Sequence, residues 1–512
     1  MEKRTLVAIV LSIAILLAWQ YFFVPKTPPA PQQKAAQEQA RQEAAKAPSA
    51  VPAAPAMAPP PSTDTASPEK EIKVENNLYT AVFTSRGGTI KSITLKSYTD
   101  KKGNPIVLKG DSLIAPLAIG ATDEFQYAHA PFAVRGENVT LSPDKNAATL
   151  VFEYSAGGQS IRRTYTFHYD KYGFDLRDEV QGLGSYWITP GRDFGIYEKS
   201  NSAHLGPVIL KDAERLEFTG AKLKEVKSFK EGIKWVAQED KYFFSAIVPK
   251  TQTEEAKVWA KNTDALAALR MPAGTNNYFI YAGPKELPRL SKLGNGLEHI
   301  VDFGFFSIIA RPLFWILKFF YDLTLNYGIA IIILTILVRI PFIPLINKGQ
   351  KSMKKLQDIQ PRMAEIREKY KSDPQRMQRE LMELYKKNKV NPMGGCLPML
   401  LQIPVFFALY QVLNIAIELR GAPFMLWIQD LAAKDPYYIL PIIMGITMVI
   451  QQKMTPSTMD PTQQKIMMLM PVVFTFMFLT FPSGLVLYWL VNNVLSIAQQ
   501  WYMNKKLVKQ PA

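Results

Sequence analysis

Arg339 sits inside an otherwise apolar run, residues 327–346. At about 1.5 Å of rise per residue it lies roughly 18 Å from Tyr327. That depth is inside a hydrocarbon layer about 30 Å thick. A guanidinium costs on the order of 3 kcal/mol there, and arginine cannot shed the cost by losing its proton. It needs water, a polar partner or a short reach to the interface. Uncharged polar residues recur in the apolar runs: Thr335, Gln402, Gln411, Asn414, Thr447, Gln451, Gln452, Asn492, Asn493, Ser496 and Gln499. Hydrogen bonds between helices account for many of them. No Asp or Glu lies in a run core to pair with Arg339. An arginine among amides and hydroxyls is best served by a hydrated groove, with Arg339, Thr335, Gln402 and Asn492 as its candidate lining. Such a groove attracts acidic groups that arrive on another polypeptide.

Other chemistries find little support. The four histidines, His129, His168, His204 and His299, lack metal-ligand spacing. Acidic residues are scattered, so no acid–base pair stands out, and no GxxxxGK[ST] loop is present. The expectation is a protein that is not an enzyme and takes neither cofactor nor metal. Cys396 is the only cysteine, so no disulfide forms within the chain. The formal charge of +16 does not imply nucleic acid, because the basic residues cluster beside apolar runs. Lys3 and Arg4 precede the first run, many follow between 348 and 389, and Lys505, Lys506 and Lys509 close the chain. That is the positive-inside pattern.

The elements that must position the groove follow from composition. Residues 1–24 predict an uncleaved transmembrane anchor with its N-terminus in the cytoplasm. Residues 25–70, rich in Pro, Ala and Gln, cannot build a core and read as a linker. Residues 71–300 predict a β-sandwich. Arg163-Thr-Tyr165-Thr-Phe167-His-Tyr169 alternates like a half-buried strand, as does Ile93-Thr-Leu95 after the Gly87-Gly88 turn. Breakers recur at Lys102-Gly-Asn-Pro105, Ala156-Gly-Gly158 and Ala273-Gly-Thr-Asn-Asn277. Residues 303–322 carry Arg311, Pro312 and Lys318, with Leu313, Ile316, Leu317 and Phe320 on one face. They predict an amphipathic interfacial helix.

A second span at 327–346 contains Arg339. Residues 347–390 predict a basic cytoplasmic helical hairpin. Leu356, Ile359, Met363, Ile366 and Tyr370 form one seam and Met377, Leu381 and Leu384 the other, divided at Ser372-Asp373-Pro374. Spans at 397–417, 438–452, 465–481 and 485–501 bring the count to six, with both termini cytoplasmic.

Four segments carry a resemblance. These are Asn391-Pro-Met-Gly-Gly-Cys396-Leu-Pro-Met-Leu-Leu-Gln-Ile-Pro404-Val-Phe-Phe-Ala-Leu-Tyr410, Asp435-Pro-Tyr-Tyr-Ile-Leu-Pro441, Asp460-Pro-Thr-Gln-Gln-Lys-Ile466 and Phe481-Pro-Ser-Gly-Leu-Val-Leu-Tyr-Trp489. Together with an intramembrane arginine followed by a basic hairpin, they resemble the YidC/Oxa/Alb family of membrane protein insertases. The match is specific over residues 301–512. The anchor, linker and β domain resemble the Gram-negative form and extend the match to the whole chain. The resemblance implies a multi-pass protein of the bacterial inner membrane with a five-helix insertase core, residues 301–512. Its large periplasmic domain would be a β-supersandwich, similar to sugar-binding modules in fold, which does not by itself give sugar binding.

By the same resemblance, Arg339 matches the groove arginine. Thr335, Leu400, Ile403, Phe406, Tyr488 and Trp489 match positions that contact a sliding substrate segment. Where the family often has a second tyrosine this chain has Trp489, which keeps aromatic bulk and loses a hydroxyl. The implied partners are nascent integral membrane proteins, the lipid bilayer and the Sec translocon, with the ribosome only weakly, since the tail after Trp501 is short. No nucleic acid binding of its own is expected. The implied action is insertion and chaperoning of inner-membrane proteins, alone or with the Sec translocon. The apolar client segment would slide along a face formed by the third and fifth spans. Three other readings stand beside it: a Sec accessory scaffold without autonomous activity, a small-solute transporter, and an envelope enzyme acting through the β domain. The transporter requires repeated halves and the enzyme a convergent acid–base site; neither is visible in the sequence.

Overall fold

The computed structural model describes residues 68–508, apart from 101, 111–113, 198–202, 262–263, 389, 391–396 and 456–460. The predicted anchor, nearly all of the linker, Cys396 and Asp460 therefore lie outside the described residues.

Short alternating segments with glycine turns build two sheets. The smaller has the order β4 (Pro105–Lys109), β3 (Thr89–Thr99), β2 (Tyr79–Thr84), β1 (Glu71–Glu75) and β7 (Val139–Thr140). The spine of the larger begins β12 (Glu214–Glu217), β11 (Gly206–Lys211), β14 (Ile233–Glu239) and β15 (Phe243–Pro249). It continues through β17 (Asp264–Pro284), β10 (Gly173–Ile188), β9 (Gln159–His168), β8 (Ala147–Ala156) and β6 (Ala133–Arg135). Off this spine, β5 (Ile119–Gly120) pairs with β10, and β13 (Lys227–Phe229) pairs with β16 (Glu255–Lys261), which flanks β17. The two sheets pack through aromatic side chains. Phe83 of β2 meets Tyr165 and Phe167 of β9 edge-on, at centroid distances of 5.0 and 5.3 Å. This is the sandwich the alternation predicts.

The turn signals divide into two kinds. Gly157 and Gly158, both at positive φ, form the two-residue loop between β8 and β9, as a tight hairpin requires. Ala273-Gly-Thr-Asn-Asn277 does not break a strand. It lies inside β17, where the β10 register shifts between Val180 and Ser185. Gly274 stays paired with Val180, the extra residues 181–184 lie on β10, and β17 runs on.

The remaining elements are helical: α1 (Leu287–Leu293), α2 (Ser307–Thr324), α3 (Tyr327–Arg339), α4 (Ile343–Asp358), α5 (Gln360–Lys369) and α6 (Pro374–Lys387). They continue with α7 (Leu397–Ile415), α8 (Ile439–Met454), α9 (Pro461–Phe478) and α10 (Ser483–Val508). By length and composition, Gly304–Thr324 and Tyr327–Asp358 could each cross a membrane. On α2 the buried stripe is Ala310, Leu313, Phe314 and Leu317, whereas Ile316 points outward beside Phe319. The predicted face was therefore rotated at Ile316. In α5 and α6, Asp373 caps the second helix by accepting from the Arg376 N–H, with Pro374 at its first position. Leu356, Ile359 and Met363 are buried together with Val390, and Leu381 and Leu384 pack against them.

The β domain and the helices meet at the end of α7. Lys241 donates to Asn414 Oδ1 at 3.1 Å, and Arg420, just beyond α7, donates to the Thr99 carbonyl at 2.9 Å. Glu418, in the turn just beyond α7, has Oε1 sealed from solvent with no hydrogen-bond partner among the described residues. Burial, helped by the nearby Glu286 charge, pushes its carboxyl up from 4.5 to about 7, against the pull of the Glu418 and Leu287 backbone N–H groups. A carboxyl whose folded pKa is raised favours folding when protonated. Its stabilising share is complete below pH 4.5 and is lost as pH rises to about 7. We expect Glu418→Gln to flatten that part of the stability–pH curve. Melting temperatures of both proteins, recorded across this range, would check it; parallel curves would contradict the burial argument.

Candidate functional site

Helix α3 starts at Asn326, whose Oδ1 accepts from the Ile329 N–H at 3.1 Å. It stops at Arg339 because Pro341, two residues on, has no N–H to donate. A 3-10 turn, Ile340–Phe342, then leads into α4. Arg339 is thus the last residue of α3 before that turn, and the backbone stays helical into α4.

Its half-buried guanidinium faces α10. Nη1 donates to Asn492 Oδ1 at 2.7 Å and to the Asn492 carbonyl at 3.3 Å, and Nη2 donates to Gln499 Oε1 at 3.0 Å. Gln499 in turn donates from Nε2 to Asn347 Oδ1 of α4 at 2.8 Å. Among the described residues, no carboxylate comes within ion-pair distance of Arg339. A cavity of about 10 Å³ lies alongside, lined by Thr335, Val338, Phe342, Ile346, Gln402, Tyr488 and Asn492 as well as Arg339. That is room for about one water. All four predicted groove residues line it. Thr335 is buried and donates to its own helix, at the Ile331 carbonyl. The polar groups therefore hold the arginine with neutral dipoles and leave its charge uncompensated.

An aromatic surface adjoins the cavity. Phe406 of α7 meets Trp489 of α10 edge-on at 4.9 Å, and Trp489 packs on Phe474 and Phe478 of α9. Ile403 is 41 % exposed on the α7 side. Two corrections follow for the predicted sliding face. Tyr488 and Trp489 lie on α10, the last helix, so the face is not made by the third and fifth spans alone. Tyr488 also differs from its neighbour: it is buried and lines the Arg339 cavity, since consecutive helical residues point about 100° apart. Leu400 lies in α7, with its side chain outside the described residues.

The other polar residues divide by partner. Asn493 donates to Thr447 at 3.2 Å, tying α10 to α8, and Asn414 serves the β-domain junction. Gln499 and Asn347 escaped the predicted groove lining. The signal was present for Gln499, seven residues after Asn492 and so on the same helical face. Asn347 had none, because its approach depends on the α3–α4 turn. Two of the quoted motifs interlock. Asp435, 1 % exposed, accepts from the N–H groups of Tyr437 and Leu440 and from Trp427 Nε1. Ser483 N–H bonds to the Ala433 carbonyl and Gly484 N–H to that of Leu431. These contacts fix where α8 and α10 begin, and so the height of Asn492 and Gln499 beside Arg339.

Comparison with known proteins yields consistent matches. The family model described as 60Kd inner membrane protein matches residues 319–510, and the YidC periplasmic domain model matches residues 71–316. A membrane protein insertase YidC from Geobacter metallireducens is 43 % identical over 541 aligned residues, covering 100 % of each chain. One from Syntrophus aciditrophicus is 42 % identical over 550, covering 99 % of this chain and 100 % of its own. The solved structure of an active YidC insertase with its first transmembrane domain resolved covers 85 % of this chain and 92 % of that one, at 19 % identity and a TM-score of 0.41.

Proposed function

The chain belongs to the family of YidC membrane protein insertases, and from that premise we propose that it inserts its clients through the Arg339 groove. It is an inner-membrane insertase with a periplasmic domain, not an enzyme, and its substrates are nascent membrane proteins delivered to lipid. A hydrophilic client segment enters from the cytoplasm, and Arg339 attracts its negative charge and lowers the cost of leaving water. The adjoining apolar segment slides past Ile403, Phe406 and Trp489 into lipid. Its burial supplies the driving force, on the order of 25 cal/mol per Å², so no nucleotide is required. The observation that carries this reading is a half-buried guanidinium held only by amide and carbonyl oxygens among the described residues.

In this reading there are six spans, with both termini cytoplasmic. The anchor is 1–24, the linker 25–70, the periplasmic domain 71–300 and the core 301–512. Residues 303–322 lie in the interface and residues 347–390 form a cytoplasmic hairpin that receives clients. The Sec translocon is a partner for some clients, and the ribosome a weak one.

A photo-crosslinker at Ile403 tests the path. A control belongs at Phe476, which is exposed and about 200° around α9 from Phe474. A stalled nascent client should form several-fold more adduct at 403 than at 476. Equal or greater adduct at 476 would move the path elsewhere.

A further inference from the structure

The Arg339 site is narrow: its cavity has room for about one water, and Phe342 and Ile346, which help line it, belong to the turn after α3 and to α4. Helix α4 leads directly into the α5–α6 pair. One side chain connects α4 to the arginine. Gln499 accepts from Arg339 Nη2 at 3.0 Å with its oxygen and donates to Asn347 Oδ1 of α4 at 2.8 Å with its nitrogen. Gln499 uses both ends of one amide, so the position of α4 and the engagement of the guanidinium are coupled.

We propose that Gln499 is a positioning residue that keeps Arg339 engaged with neutral oxygens and releases it to a client carboxylate when α4 moves. The proposal rests on the insertase reading of Arg339. In this structure the cation is held by neutral oxygens of Asn492 and Gln499. A carboxylate can accept from both guanidinium nitrogens in a fork, with shorter and stronger bonds than amides offer. The exchange is selective: an uncharged segment gains little over the amides it displaces, and an acidic one gains an ion pair. Displacement of α4 breaks the Gln499–Asn347 bond, shifts the lining at Ile346, and leaves Gln499 free to turn from Nη2. Acceptance of an acidic client is in this way coupled to the position of α4.

The test uses full-length protein in liposomes and two clients that differ only in whether the translocated segment is acidic or neutral. Gln499→Glu places a permanent carboxylate beside Nη2. Close charge pairs are worth at least about 1.5 kcal/mol, so the ratio of acidic to neutral client inserted should fall roughly tenfold. Gln499→Leu breaks the link without adding charge. It should keep that ratio at or above wild type while broadening the spin-label distance between Ser372 and Tyr502 in a Cys396→Ser background. A residue with only a structural role would lower both clients together. A Gln499→Glu protein with the wild-type ratio, where Arg339→Ala loses acidic clients, would overturn the role of Gln499 alone. If Arg339→Ala also leaves the ratio unchanged, the groove reading itself falls, and this proposal with it.

Discussion

Arg339→Ala should reduce insertion most for clients whose translocated segment is acidic, and the loss should grow with the number of Asp and Glu residues in that segment. Placing a carboxylate at membrane depth costs on the order of 3 kcal/mol. If the guanidinium offsets even half of that, removing it lowers insertion of a singly acidic segment by about tenfold, since 1.4 kcal/mol is one decade. Arg339→Lys should recover part of the activity. Lysine restores the charge but not the fork that reaches Asn492 and Gln499 together. The measurement is the protease-protected fraction of a client series with zero, one and two acidic residues, in membranes carrying each variant. A uniform loss across the series would mean that Arg339 supports the helix packing and not the client.

The second large effect lies in the β domain. Arg163 and Asp178 are both completely buried. Nε and Nη2 of Arg163 donate to the two carboxylate oxygens at 2.9 and 3.2 Å, and Nη1 donates to the Leu117 carbonyl at 2.7 Å. Burial raises the Asp178 pKa, and the Arg163 charge opposes that rise. Asp178→Ala strands a cation that cannot lose its proton, a change that costs about 3–5 kcal/mol. The expected readout is a lower melting transition and faster proteolysis within residues 71–284. The apolar pair Arg163→Met with Asp178→Leu should recover part of the loss. Recovery stays incomplete because the Leu117 carbonyl loses its donor, worth about 1–3 kcal/mol when left buried and unpaired. Unchanged stability of Asp178→Ala would show that water reaches this site.

The β architecture was legible where side-chain period and turn chemistry act locally. The alternation from Arg163 to Phe167 set the inward face of β9, and Gly157-Gly158 set its hairpin. The same rule failed at Ala273-Gly, because the irregularity falls on the partner strand β10, and β17 keeps its ladder through Gly274. The phase of β9 also put Arg163 inward, yet nothing local identified Asp178 as its partner. Within the groove, residue type marked Arg339, Thr335, Gln402 and Asn492 as out of place in apolar runs, but it marked Asn414 and Asn493 equally, and these serve other contacts. Asn347 follows an apolar run and precedes a lysine, and so looks like an ordinary helix-end residue. Its place at the site comes from the turn that Pro341 imposes. Lys241 meets Asn414 across 173 residues of sequence, a contact that periodicity cannot reach.

The most direct test of the groove mechanism is insertion into liposomes that contain only this purified protein. A short, acidic, two-span client is supplied, and the protease-protected fraction is scored for wild type, Arg339→Ala and empty liposomes. The groove mechanism predicts protection that requires the wild-type protein and falls about tenfold or more with the variant, as expected for losing one compensated charge. Protection no better than in empty liposomes would contradict autonomous insertion and leave the protein an accessory to the Sec channel.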